Sequence, residues 1–372
     1  MSTEPSMNMA TTQKARLAKS FFIKGITIAT LSGMCYGLYT AFVTVAMGKG
    51  AWEGWYAENS LLTAFTVVYV LGVLGSGVND LMSAFWAVGI AGIKGKLGDF
   101  FRCLKTKPGA VMIVCAIIGG PIASAAYIIA LQMAGSIIIP ITALCPALGA
   151  ILGRLLFKQS LNARMIMGIL VCLAATLMIG WASIGDDGSN NRLLGCAIAF
   201  IAALGWAIEG CVAGFGTVVI DYEIGITIRQ VTSGLVNLLI LLPIMCIIAG
   251  KIGLFSELTG TAFGSGNAMI FFIISGFFAL FAFSLWYKGN SMCGTALGMA
   301  CNGAYSFWGP FFCWIVLGVV IGQEGWGLEP IAWIAAVVMF LGILLIAVNP
   351  LDWFKRDKTT SGEVNEQGKA AN

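Results

Sequence analysis

Glu209 lies inside an apolar run from 193 to 218, where an ionised carboxylate costs about 2.5–3.5 kcal/mol even on a lenient membrane-insertion scale. A sequence that retains such a group either uses it or pairs it. Two uses fit: counter-ion to a substrate, and carrier of a coupling proton. The alternative is a helix–helix hydrogen bond or an ion pair. The ion pair is disfavoured because no Lys or Arg is expected at the same depth, Arg229 and Lys288 being read as snorkelling to the inner surface. Trp206 stands three residues before Glu209 and so shares its helix face. Tyr36 and Tyr39 have the same spacing, as do Asn302, Tyr305 and Trp308. A carboxylate among aromatic faces is cation-binding chemistry. The expected substrate site is therefore Glu209 and Trp206 with Tyr36, Tyr39, Asn302, Tyr305 and Trp308. Glu209 and Asp80 are the candidates for proton coupling, since a long tilted second helix puts Asp80 near mid-depth.

Other chemistry is excluded by what is missing. The chain has no His, which removes His-based triads, His metal sites and His proton relays. No Walker loop or metal-ligand cluster is present, so no catalytic residue, metal or cofactor is expected. The 11 Cys form no CxxC pair and read as buried thiols in apolar runs. The net charge of +4 is too small and too scattered for a nucleic-acid surface.

The elements that must carry these residues are membrane helices. Of 372 residues 59% are hydrophobic and 10% charged, against about 25% charged in a soluble domain. A spanning helix needs about 20 mainly apolar residues, and ten such stretches are present: 22–47, 61–93, 109–132, 136–157, 163–182, 193–218, 226–250, 268–287, 292–321 and 330–349. The first is too long for a signal peptide's apolar core and should remain in the membrane. Most Lys and Arg fall on the segments that share a side with the N-terminus, including Lys94, Lys96, Arg102, Lys105 and Lys107, which predicts both termini in the cytoplasm. Residues 1–21 and 351–372 are then cytoplasmic tails. Stretch 61–93 exceeds one crossing, so Gly72, Gly75 and Gly77 are the expected break and 60–77 an extra outer or re-entrant segment. Trp52, Trp55, Trp326 and Trp353 are expected as interfacial anchors. Gly33 and Gly37, four apart, predict close helix packing.

Shifting the chain by 170 residues aligns Gly25–Ala29 with Gly195–Ala199, Tyr36 with Trp206 and Tyr39 with Glu209. Residues 22–182 and 193–350 then read as two inverted five-helix repeats, an arrangement that puts substrate between the halves near the midplane. The block from Tyr127 to Trp181, with Ala134, Pro140, Pro146, Gly168 and Gly180 at its turns and mid-helix positions, resembles the drug/metabolite transporter superfamily, in particular its EamA-type branch. The resemblance implies an all-α polytopic membrane protein of ten transmembrane helices. It also implies a secondary transporter acting by alternating access in the plasma (inner) membrane, its partners being a small-molecule substrate and the lipid bilayer. A homodimer is compatible with it. Glu209 and its aromatic neighbours favour a small organic amine or quaternary ammonium compound as substrate, with an amino acid or other metabolite as the alternative. An intramembrane enzyme on lipid-linked substrates and a non-transporting subunit are the rival classes.

Overall fold

The computed structural model describes residues 4–57, 60–157, 162–182, 189–293, 295–327 and 329–347, and every regular element among them is helical. Residues 183–188, the C-terminal residues 351–372 with Trp353, and the pair Lys158-Gln159 lie outside these residues. In chain order the helices are α1 (Glu4–Met47), α2 (Ala51–Tyr56), α3 (Leu71–Ile93), α4 (Leu97–Cys103), α5 (Lys107–Ile117), α6 (Ala125–Ala134), α7 (Ile138–Thr142), α8 (Cys145–Phe157) and α9 (Ala163–Ala182). They continue with α10 (Ser189–Val219), α11 (Tyr222–Val236), α12 (Leu242–Ile248), α13 (Leu254–Gly264), α14 (Gly266–Cys293), α15 (Thr295–Asn302), α16 (Tyr305–Cys313) and α17 (Pro330–Ala347).

Among the described residues seven helical segments are long and apolar enough to cross a membrane: Ser20–Met47, Thr66–Ile93, Lys107–Thr142, Asn191–Ala213, Tyr222–Ile248, Gly266–Cys293 and Gly298–Val320. Two shorter apolar helices, Ala163–Ala175 and Trp333–Ile346, accompany them. Length and composition make this an integral, polytopic membrane protein.

Several of these segments are widened by π-helical turns: Thr66–Val70 leads into α3, Ile118–Ser124 joins α5 to α6, Asn237–Leu241 joins α11 to α12, and Trp314–Val320 follows α16. The turn at 118–124 contains Pro121, which has no N–H to give and interrupts the regular ladder. The consequence is chemical. The Gly119 carbonyl in this turn accepts from three side chains, Ser124 Oγ at 2.9 Å, Trp206 Nε1 at 2.9 Å and Arg229 Nη2 at 3.0 Å.

Glycines set how closely the helices approach. A Cβ on Gly168 of α9 would lie 2.7 Å from the Gly342 carbonyl, and one on Gly342 of α17 would lie 3.0 Å from the Gly168 carbonyl, so the two helices touch backbone to backbone. Gly33 and Gly37 do the same for α1, where a Cβ would lie 2.7 Å from the carbonyls of Asn302 and Trp308 respectively. Gly342→Leu should therefore force α9 and α17 apart. The expected result is a loss of about 1–3 kcal/mol, the usual cost of overpacking, read as a lower unfolding temperature in detergent. Unchanged stability would contradict the contact.

Two expectations need correction. Helix α3 runs unbroken from Leu71 to Ile93 through Gly72, Gly75 and Gly77; the chain instead divides earlier, after α2. These glycines serve packing: added Cβ atoms would meet Ile129, Met47 and Leu238 at 2.4–2.7 Å. Tertiary contact overrides the weak helix propensity of glycine here. Trp52 is not an interfacial anchor, since it is fully buried and its ring packs 5.3 Å from Phe272 and 5.2 Å from Trp55.

Candidate functional site

Asp221 caps α11, its Oδ1 accepting from the backbone N–H of Glu223 at 2.9 Å and of Ile224 at 3.4 Å. With the helix start fixed there, Arg229 sits two turns inside the bundle, at 0% exposure. Its guanidinium is bonded on all sides. Nε donates to Glu209 Oε1 at 3.1 Å, Nη1 to Gln230 Oε1 at 2.9 Å, and Nη2 to the Gly119 carbonyl at 3.0 Å and to Ser124 Oγ at 3.2 Å. Asp80 Oδ1 lies 3.8 Å from Nη1, and the Phe283 ring stacks under the guanidinium carbon at 3.8 Å.

Both carboxylates are enclosed, Glu209 at 0% and Asp80 at 2% exposure. Glu209 Oε1 also accepts from the Tyr287 hydroxyl at 2.7 Å. Asp80 Oδ2 accepts from Ser233 Oγ and, at 3.3 Å, from Asn237 Nδ2. Removing each of these ions from water costs several kcal/mol, which their mutual attraction and hydrogen bonds offset; Glu209 Oε2 is buried without a hydrogen bond of ordinary geometry among the described residues. Two carboxylates surround one guanidinium, so the fully ionised cluster carries one uncompensated negative charge.

An aromatic group lies beside this cluster. Trp206 donates its Nε1–H to the Gly119 carbonyl at 2.9 Å, the same oxygen that Arg229 uses. Tyr36 meets Tyr305 at 4.4 Å between ring centroids, Tyr39 at 5.2 Å, Tyr127 at 5.6 Å and Trp206 at 5.7 Å. Tyr36, Trp206, Phe283, Trp286, Asn302 and Tyr305 wall a small cavity whose space for the centre of a water molecule is about 20 Å³, enough for about one water. The hydroxyls of Tyr36 and Tyr305 and the indole N–H of Trp286 are buried there without a hydrogen bond of ordinary geometry among the described residues.

Six of the residues expected from sequence thus come together: Glu209, Trp206, Tyr36, Tyr39, Tyr305 and Asn302, the last donating to Ser32 Oγ at 2.7 Å. Asp80 joins them through Arg229. Trp308 does not. Tyr305 and Trp308 share α16, but the Trp308 ring stacks on Phe312 at 5.7 Å and does not line the cavity. The larger correction is Arg229, which does not snorkel to a surface but pairs with Glu209 at the centre. Lys288 stays nearer a helix end, its ammonium 4.9 Å from the centre of the Tyr222 ring.

Tyr127, Tyr287, Ser124 and Phe283 were not singled out by the sequence. One signal was available for Arg229: with Ser233 and Asn237 it forms a polar series whose steps of four put the three on one helix face.

No protein-family profile matches the chain, and no curated protein matches it. A solved crystal structure of a protein is similar to it, with a TM-score of 0.54 and 16% identity over 86% of this chain and 96% of that one. At that identity the likeness is one of fold.

Proposed function

We propose that the chain is a secondary transporter of the drug/metabolite transporter type, moving a small polar metabolite by alternating access between two inverted five-helix repeats. Counted as α1, α3, α5–α6, α7–α8 and α9, then α10, α11–α12, α14, α15–α16 and α17, the chain gives ten crossings. Its packing supports the repeat. The first crossing lies against the eighth and ninth, and the sixth against the third and fourth; the second pairs with the seventh and the fifth with the tenth. Exchanging the halves maps this set of contacts onto itself. The fourth and ninth are each interrupted once, after Thr142 and after Asn302, and the repeat mates Tyr36 and Trp206 meet at 5.7 Å. The basic stretch Lys94–Lys107 on the side of the N-terminus favours cytoplasmic termini and residence in the plasma (inner) membrane.

The observation that carries the transport reading is a buried, hydrogen-bonded Asp80–Arg229–Glu209 cluster beside an aromatic cavity where the two halves meet. An ion pair kept only for stability is a poor choice, because apolar replacements often do as well. The charge count gives it a task. Arg229 offsets one carboxylate, and either a proton or a cationic substrate completes the neutrality of the other, so the two exchange for one another as the halves rock. The substrate class remains a small amine or quaternary ammonium compound, now on the excess of one negative charge and the aromatic walls rather than on an unpaired Glu209. The hydroxyls of Tyr36 and Tyr305 and the indole N–H of Trp286, buried without a hydrogen bond of ordinary geometry among the described residues, favour an amino acid as the second reading, since its carboxylate would accept from them.

Ligand-induced stabilisation tests the class, because a ligand raises stability by RT ln(1 + [L]/Kd) whatever the direction of transport. At millimolar concentration choline-like amines or amino acids should raise the unfolding temperature. Stabilisation by neutral sugars or organic anions alone would overturn it.

A further inference from the structure

A second cavity opens away from this site, between the ends of α3, α11 and α14, with about 370 Å³ open to the centre of a water-sized sphere. Its chemistry changes along its length. At the rim stand Lys94, Glu223 and Lys288 with Tyr222, while deeper in the walls are mainly apolar, Ala87, Ile90, Ile226, Leu280 and Leu285, with the hydroxyls of Ser284 and Thr227 among them, the latter bonded to the Glu223 carbonyl. From Lys94 to Ala87 is seven helical residues, about 10 Å.

The rim is positive on balance. Glu223 is taken by Lys94 and, at 2.6 Å, by Lys96, and its Oε1 also accepts from the Tyr222 hydroxyl at 3.1 Å. Lys96 also pairs with Asp221 at 3.1 Å. Three lysines thus face two carboxylates, and Lys288 is the one left without an acidic partner among the described residues, held over the Tyr222 ring at 4.9 Å. The Glu223 hydrogen bond also holds the Lys94 ammonium above its ordinary pKa, so it stays charged.

We infer that this groove holds one anionic phospholipid, its phosphate at Lys288 and Lys94 and the start of an acyl chain along Ala87, Ile90 and Leu285. A cationic rim at a membrane surface attracts anionic headgroups, and the apolar walls behind it suit hydrocarbon and offer a free phosphate or a polar metabolite little to bond. The three helices also include α11, which carries Arg229, so the lipid would brace the helix that positions the charged cluster.

The test uses the purified full chain in neutral detergent, titrated separately with phosphatidylglycerol, phosphatidylcholine and inorganic phosphate, with binding read by native mass spectrometry and stability by thermal unfolding. Transport enters neither readout, so the result is independent of the proposed function. Phosphatidylglycerol should stay bound and raise the unfolding temperature; phosphatidylcholine and phosphate should not. Lys288→Gln should weaken phosphatidylglycerol binding about fivefold, the effect of one lysine near a charged headgroup. Ser284→Phe, which leaves every charge in place and fills the groove, should abolish the binding. Equal binding of the two lipids, stabilisation by phosphate alone, or wild-type phosphatidylglycerol binding in Ser284→Phe would each overturn the inference.

Discussion

Replacing Arg229 by Met is expected to destabilise the protein by about 3–5 kcal/mol, the cost of leaving buried charges without their partner. Both Glu209 and Asp80 lose their cation at once, and Gln230, Ser124 and the Gly119 carbonyl lose the donor they share. Glu209→Gln should cost far less, about 1–3 kcal/mol, because Arg229 retains those three acceptors and Asp80 at 3.8 Å. The asymmetry is the point of the experiment. Removing all three charges together, Asp80→Asn with Glu209→Gln and Arg229→Gln, should recover most of what Arg229→Met loses, since no unpaired ion remains. Thermal and denaturant unfolding in detergent would read all four proteins. If Arg229→Met is as stable as wild type, the central ion cluster does not form.

The second large effect is functional. Glu209→Gln keeps an acceptor for the Tyr287 hydroxyl, which donates to Oε1 at 2.7 Å, and it removes the charge that a proton or a cationic substrate would balance. Transport should fall at least about tenfold, the factor that 1.4 kcal/mol represents, while the protein stays folded and monodisperse. Tyr287→Phe is the control for geometry: it removes the hydroxyl but not the charge, and should retain measurable flux. Wild-type flux in Glu209→Gln would remove Glu209 from the mechanism. Loss of both fold and flux would assign it a structural role.

Much of the fold was legible because the bilayer asks little of a sequence beyond length and apolarity. The stretches 22–47, 193–218 and 268–287 fall inside α1, α10 and α14, and Gly33 and Gly37 pack as their spacing implies. Helix interruptions were harder to read. The break after Asn302 has only Gly303 to mark it. The glycines of 61–93 suggest a break, yet they lie against Ile129, Met47 and Leu238; whether a glycine bends a helix or admits a neighbour depends on contacts remote in sequence.

The site was half legible for a related reason. Periodicity within one helix found Trp206 with Glu209 and Tyr36 with Tyr39, but the partner of Glu209 comes from another helix. Arg229 lies 20 residues further on and eight past the Asp221 cap, a position near enough to a helix end to suggest snorkelling. Its depth follows from how far α11 is sunk against α3, α5 and α10, which no local pattern encodes. Tyr287 was hidden similarly beside Lys288, whose charge suggested a surface.

The central claim is most directly tested by counterflow into vesicles reconstituted with the purified chain alone. A labelled choline-like amine or amino acid should accumulate transiently against its gradient when the vesicles are preloaded with the same unlabelled compound, and the accumulation should disappear in Glu209→Gln. If amines, amino acids and neutral metabolites all enter no faster than into protein-free vesicles, the chain is not a transporter and the buried cluster has another purpose.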